Sequence, residues 1–315
     1  MTKLELAILK WAPIRIITDL MRRVVLPGAE GLSLYEVAKF FYLEMKNVRL
    51  TERCAAVTYN FVMAIPPSML FLFALVPYLP LKNAEHTILA MLRLIAPTQG
   101  LYKSISGVIV DFMHTEQRKV LSFGILLTMY FSSNGMMGLM RSFDNSEHVY
   151  VQRTGLQRRW VAIKLTLLLY AVIVLAMIAF IIQTQWVNKL IQKVFFSVLI
   201  GKLLTVLLIV FIVLCTISII YSYGPSISHK FRFISPGSVF ATVLLVLATM
   251  GFYYMANNFL NYNKVYGSIG TLIAFMVWIW LNTMVILIGF ELNVSIVLGK
   301  ISRAKRNESA TSTVL

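Results

Sequence analysis

From Cys54 to Leu298 the chain alternates long uncharged apolar blocks with short polar or basic segments, and the blocks fall at about 54–80, 120–140, 160–182, 203–221, 238–256 and 271–298. Each is close to, or longer than, the about 20 apolar residues that carry a helix across a bilayer. Six membrane-spanning helices are predicted. Ahead of them, residues 3–23 set Leu6, Leu9, Ile14, Ile17 and Leu20 among Lys10, Arg15, Arg22 and Arg23, the pattern of a basic helix lying on a membrane surface. Pro27-Gly28 ends it. Ser33 with Glu36 is a capping-box signal for a second helix, in which Leu34, Val37, Ala38, Phe41, Met45 and Val48 recur at helical spacing. Thr51 and Glu52 are read as the cap of the next helix. Between 81 and 119, short amphipathic helices around 88–95 and 105–113, separated by Pro97, are expected to cap the far side of the bundle. The tail from Lys300 is basic, then polar, and is expected to be disordered.

The chain divides into interfacial amphipathic helices over 1–53, a transmembrane domain over 54–298 and a tail over 299–315. The fold class is all-α, a polytopic membrane helix bundle. Composition agrees, with 58% hydrophobic and 13% charged residues and a mean hydropathy of +0.77. A net charge of +16 can mark nucleic-acid binding, but a basic excess at helix ends is also what membrane insertion and anionic headgroups select. We read it as the latter: the expected partners are membrane lipids, with anionic headgroups at the cytoplasmic face, and no nucleic acid. The two cysteines, Cys54 and Cys215, allow no disulfide framework or metal cluster. No metal and no cofactor are expected.

The last block, Tyr266 to Leu298, is interrupted by a single acid, Glu291. A charge inside a span costs on the order of 2.5 to 3.5 kcal/mol, so it should face protein or water, which makes Glu291 a site candidate. At 100° per residue, Asn282 and Asn293 share one face with Gly289, whereas Glu291 points to the opposite side. Polar groups on both faces imply protein on both faces, and a central position for this helix. Gly267, Gly270 and Ala274 are expected to let a neighbour approach its start. Arg141, Arg158, Arg159 and Arg232 are the cations expected within reach of Glu291.

Other polar groups inside apolar blocks complete the candidates. Pro66-Pro67 in the first block should bend or interrupt that helix, freeing carbonyls, with Tyr59 and Asn60 one to two turns earlier. Gly124, Thr128 and Ser132 form a small-residue seam in the second block, followed by Asn134. The pathway candidates are therefore Glu291, Asn293, Asn282, Asn134, Tyr59 and Asn60, with Pro66, Pro67, Gly267, Gly270 and Gly289 for helix breaking and close packing. Six spans put both termini on one side, and the Lys and Arg counts are nineteen with the termini cytoplasmic against eight on the opposite side. The positive-inside rule therefore predicts cytoplasmic termini.

Four stretches, TERCAAVTYNFVMAIPPSMLF, FSSNGMMGLMRSFD, YSYGPSISHKFRFISPGSVFA and NKVYGSIGTLIAFMVWIWLNTMVILIGFELNVSI, resemble the YihY/BrkB group of bacterial inner-membrane proteins, once labelled ribonuclease BN. Gly289 to Asn293 stands where members usually carry a Gly, Ala, Glu, Leu, Asn run, with Phe290 a departure towards bulk. The resemblance implies six transmembrane helices, a bacterial inner-membrane location, and links to envelope lipid or polysaccharide handling without an agreed activity.

Three functions are weighed. A transporter or lipid flippase would use Glu291 to bind a proton, a cation or the cationic part of a headgroup, with the asparagines and Tyr59 as a polar lining. A non-transporting membrane scaffold is the alternative. A nuclease would want clustered carboxylates for metals or a paired acid and base, and the soluble acids here are scattered, so the chain is not expected to be an enzyme.

Overall fold

The computed structural model describes residues 21, 23–24, 32–47, 49–75, 84–96, 99–114, 123–144, 153–193, 198–227, 231–258 and 268–312. Among these the secondary structure is helical, with no β-strand. The helices are α1 (Leu34–Asn47), α2 (Leu50–Leu75), α3 (Ala84–Ile95), α4 (Gln99–His114), α5 (Phe123–Ser132), α6 (Asn134–Phe143), α7 (Gly155–Lys193), α8 (Val198–Tyr223), α9 (Pro236–Asn258) and α10 (Ser268–Ser312). The surface helix expected over 3–23 lies outside the described residues, apart from Met21 and Arg23.

Among the described residues, four segments are long and apolar enough to cross a membrane: Gly155–Phe180, Leu203–Tyr223, Pro236–Ala256 and Leu272–Ala304. On them Leu168, Leu175, Val206, Phe211, Val243 and Leu247 stand exposed, as lipid-facing side chains do. α10 packs against α9, α2 and α1; α2 packs against α5 and α6; α7 packs against α6 and α8. The last helix is thus the central one.

Local chemistry sets the element boundaries. Ser33 and Glu36 form the reciprocal cap at the start of α1: Glu36 N–H donates to Ser33 Oγ at 3.3 Å, and Ser33 N–H donates to Glu36 Oε2 at 3.0 Å. Leu32 and Val37 then pack on Ile296 and Leu292 of α10. Thr51 and Glu52 lie inside the first turn of α2 rather than capping it, because that helix already starts at Leu50.

Three further expectations are corrected. α2 runs through Pro66 and Pro67 without interruption; in an apolar surrounding, a full break would strand more backbone groups than the bonds two prolines remove. The block at 120–140 is divided at Ser133 into two helices, both packed on α2. A Cβ on Gly138 would stand 2.8 Å from Asn60 Cβ, and one on Gly135 would stand 3.0 Å from the Phe61 ring. Finally, the tail from Lys300 continues α10 as helix to Ser312. α1 supports the start of that extension, with Leu32 and Phe40 lying against Gly299.

Candidate functional site at one end of the bundle

The first turn of α2, the last turn of α6, the end of α8, the start of α9 and the middle of α10 meet at one end of the bundle. The charged centre of this junction is an ion pair between Arg53 on α2 and Glu291 on α10, Nη1 to Oε1 at 2.8 Å. Arg53 is 8% exposed and Glu291 0%, so water screens neither. The rest of the guanidinium is held by Ser142 on α6: Nε donates to its Oγ at 3.1 Å, and Nη2 donates to its carbonyl oxygen. One cation therefore ties three helices together.

Arg53 was not among the cations expected opposite Glu291. Arg158 pairs with Asp144 at 3.2 Å, Arg159 bonds Asn134 at 2.8 Å, and Arg141 and Arg232 are exposed. The apolar block of the first span begins at Cys54, so Arg53 reads as its flank, whereas α2 starts at Leu50 and carries Arg53 inside.

The opposite face of α10 meets the start of α9. Ser235 and Ser238 cap α9 reciprocally, Ser238 N–H to Ser235 Oγ at 3.2 Å and Ser235 N–H to Ser238 Oγ at 3.0 Å. Asn293, 2% exposed, completes the cap: its Oδ1 accepts from Gly237 N–H at 2.8 Å and its Nδ2 donates to Ser235 Oγ at 2.8 Å. Pro236 occupies the first helical position, where its missing N–H costs nothing. Gly237 and Gly289 let the backbones approach so closely that a Cβ on Gly237 would collide with the Gly289 carbonyl oxygen, and a Cβ on Gly289 would lie 2.6 Å from Ala241 Cβ. Since the obstruction is backbone, it cannot rotate away. Gly237→Ala is therefore expected to cost about 1–3 kcal/mol, read as a lowered unfolding midpoint in detergent; an unchanged midpoint would show that the two helices separate freely.

Aromatic rings close the junction. Phe290, 0% exposed, lies 4.1 Å from Phe143, 5.9 Å from Tyr221 and 6.0 Å from Phe231, measured between centroids. Tyr221 donates its hydroxyl to Ile286 O at 2.6 Å. The connecting segments are tied as well. Arg153 donates to the carbonyls of Gly224 and Pro225 at 2.9 and 3.1 Å, and Asp144 accepts from Ser226 N–H at 3.3 Å. Burial pushes the Asp144 carboxyl up, against the opposing pull of Arg158.

The other candidates lie apart from this junction. Asn282 accepts from Thr249 Oγ1 at 3.3 Å and donates to Trp278 O at 2.7 Å. Asn60 donates to Ala56 O in its own helix at 2.7 Å and packs on Gly138, while Tyr59 is exposed. Asn134 belongs with Arg159. Gly270 is buried, and Gly267 lies outside the described residues. The structure brings Glu291, Asn293 and Gly289 to one junction, on two faces of α10, and does not gather the six pathway candidates into one lining. Among the described residues no group of three His, Cys, Asp or Glu side chains is placed to hold a metal ion.

A family profile described as Virulence factor BrkB matches residues 41–312. The ribonuclease-like protein YfkH of Bacillus subtilis (strain 168) is 28% identical over 250 residues, 76% of this chain and 88% of that protein. UPF0761 membrane proteins of Pseudoalteromonas translucida and Idiomarina loihiensis are 34% and 33% identical over 77 and 78 residues. Those alignments cover 24% and 25% of this chain and 26% and 28% of the relatives. No solved structure matches.

Proposed function

The chain belongs to the Virulence factor BrkB family, a multi-pass membrane protein, and from that membership we propose a six-span bacterial inner-membrane transporter or lipid flippase acting in envelope lipid or polysaccharide handling. In this reading the spans are α2, the α5–α6 pair, α7, α8, α9 and α10, with interfacial helices over 1–53. Both termini are cytoplasmic, as the Lys and Arg asymmetry favours. The Arg53–Glu291 pair closes the cytoplasmic end.

The observation that carries this reading is the pair's complete burial at a junction of helices. A buried ion pair often contributes no more to stability than apolar side chains of the same volume would, and its best-attested use is in fixing one arrangement over another. An opened pair would offer Glu291 to a proton or an ammonium group, and Arg53 to a phosphate. Hydrolysis has less support, since the two acids of the junction, Glu291 and Asp144, are each paired with an arginine, and a phosphodiesterase calls for clustered carboxylates or a paired acid and base. Arg53's added bonds to Ser142 favour a second reading, a rigid scaffold stapled at one end.

Lipid translocation in proteoliposomes distinguishes the two. The wild type, Glu291→Gln, the double variant Arg53→Met/Glu291→Leu and an unrelated six-span protein are compared at matched reconstitution. The expected result is wild-type translocation above the unrelated protein, with both variants reduced to its level. Translocation by the double variant at the wild-type rate would make the pair mere packing, and none by the wild type above the unrelated protein would favour the scaffold.

A further inference from the structure

α5 gives way to α6 at Ser133, whose N–H still donates to Met129 O at 3.2 Å and whose carbonyl still accepts from Met137 N–H at 2.9 Å, and a side chain from α7 packs on this joint. Arg159 Nη1 donates to Asn134 Oδ1 at 2.8 Å and to Ser133 Oγ at 3.1 Å, with the Tyr130 carbonyl at 3.4 Å. Its guanidinium carbon lies 4.2 Å from the centroid of the Tyr130 ring, a cation–π contact that fixes the plane of the fork. These contacts engage one nitrogen. Nε and Nη2 of a five-donor group remain, with no hydrogen-bond partner for them among the described residues.

The charge is also uncompensated. Asp144, the acid at the end of α6, is taken by Arg158 at 3.2 Å, and no carboxylate pairs with Arg159 among the described residues. Around it the surface is apolar and open: Trp160 is 59% exposed, Leu156 75%, Phe131 45% and Tyr130 44%. Exposed aromatic rings beside a cation, one turn into a membrane-crossing helix, mark the depth of lipid headgroups.

We propose that Arg159, with Tyr130, Asn134 and Trp160, forms a binding site for the phosphate of an anionic membrane lipid on the outer face of the bundle, at the seam between α6 and α7. The remaining Nε–Nη2 edge receives two phosphate oxygens, as a planar fork suits. Asn134, whose Oδ1 faces Arg159, keeps its amide N–H groups as further donors. Trp160 and Phe131 lie along the glycerol and upper acyl chain. The site is separate from the Arg53–Glu291 junction and does not depend on transport through it.

The test is native mass spectrometry of the full chain in detergent, titrated with phosphatidylglycerol or phosphatidylcholine. Wild type should bind phosphatidylglycerol more tightly, and Arg159→Gln should lose about fivefold or more of that affinity, near the contribution of one basic residue at a membrane surface, with phosphatidylcholine unchanged. Arg159→Lys keeps the charge without the fork and should retain only part of the preference, between wild type and Arg159→Gln, which separates loss of the site from loss of fold. Millimolar inorganic phosphate should displace no lipid. Equal binding of phosphatidylglycerol by wild type and Arg159→Gln, or equal loss of both lipids in Arg159→Gln, would overturn the proposal. Displacement by inorganic phosphate would overturn it too, because the site would then serve a soluble anion.

Discussion

Glu291→Leu alone is expected to destabilise the fold by about 3–5 kcal/mol, because it leaves the Arg53 guanidinium buried without its counter-charge. Arg53→Met alone should cost a similar amount for the reciprocal reason, and it also leaves Ser142 without the donor that joins α6 to the junction. The double variant Arg53→Met/Glu291→Leu should recover most of this, since apolar groups of similar volume can replace a buried pair at little net cost. The measurement is a double-mutant cycle on unfolding midpoints in one detergent. A double variant as unstable as the two single losses added together would show that the charges do not act as a pair. The recovered double variant is also what the translocation assay needs, since it removes both charges while keeping the helices packed.

The division of α10 into two working faces was legible in the sequence, because 100° per residue puts Asn282, Gly289 and Asn293 on one side and Glu291 on the other. The structure has Asn282 and Asn293 bonded to Thr249, Ser235 and Gly237 on the α9 side, and Glu291 bonded to Arg53 on the α2 side. Which cation meets Glu291 was not legible. Arg53 lies 238 positions away along the chain, and only the relative placement of α2 and α10 selects it over the arginines of the connecting segment. The same holds for the close contact of α9 and α10. Gly289 is among the close-packing candidates of the sequence, but its partner Gly237, where a capped helix start meets the Gly289 backbone, carries no such signal. The helical extension to Ser312 escaped the pattern for a related reason, since its polar composition hides the support α1 gives to its first turns.

The short stretches quoted for their family resemblance also acquire a common location. Arg53, Ser142, Gly224, Ser235, Gly237 and Glu291 come from four separate segments and converge on one end of the bundle through the bonds between them. The small and polar residues there are explained by close backbone approach and capping, which leaves Arg53–Glu291 and Arg158–Asp144 as the ion pairs of this end among the described residues.

Phe290→Ala is expected to cost about 3–5 kcal/mol, the range for emptying the place of a buried ring. The neighbours are poorly able to close the gap. Tyr221 is held by its hydroxyl on Ile286 O, Phe143 follows Ser142, which carries the Arg53 guanidinium, and Phe231 meets the ring edge-on from the segment before α9. Each would have to give up another contact to move inward. Phe290→Leu should restore part of the lost stability by refilling much of the volume without the ring contacts. A loss within about 1 kcal/mol for Phe290→Ala would mean that the surrounding rings collapse freely, and with that the argument for a rigid junction around Glu291 would fail. The expected loss would place the aromatic wedge beside the ion pair as the second element holding this end of the bundle closed.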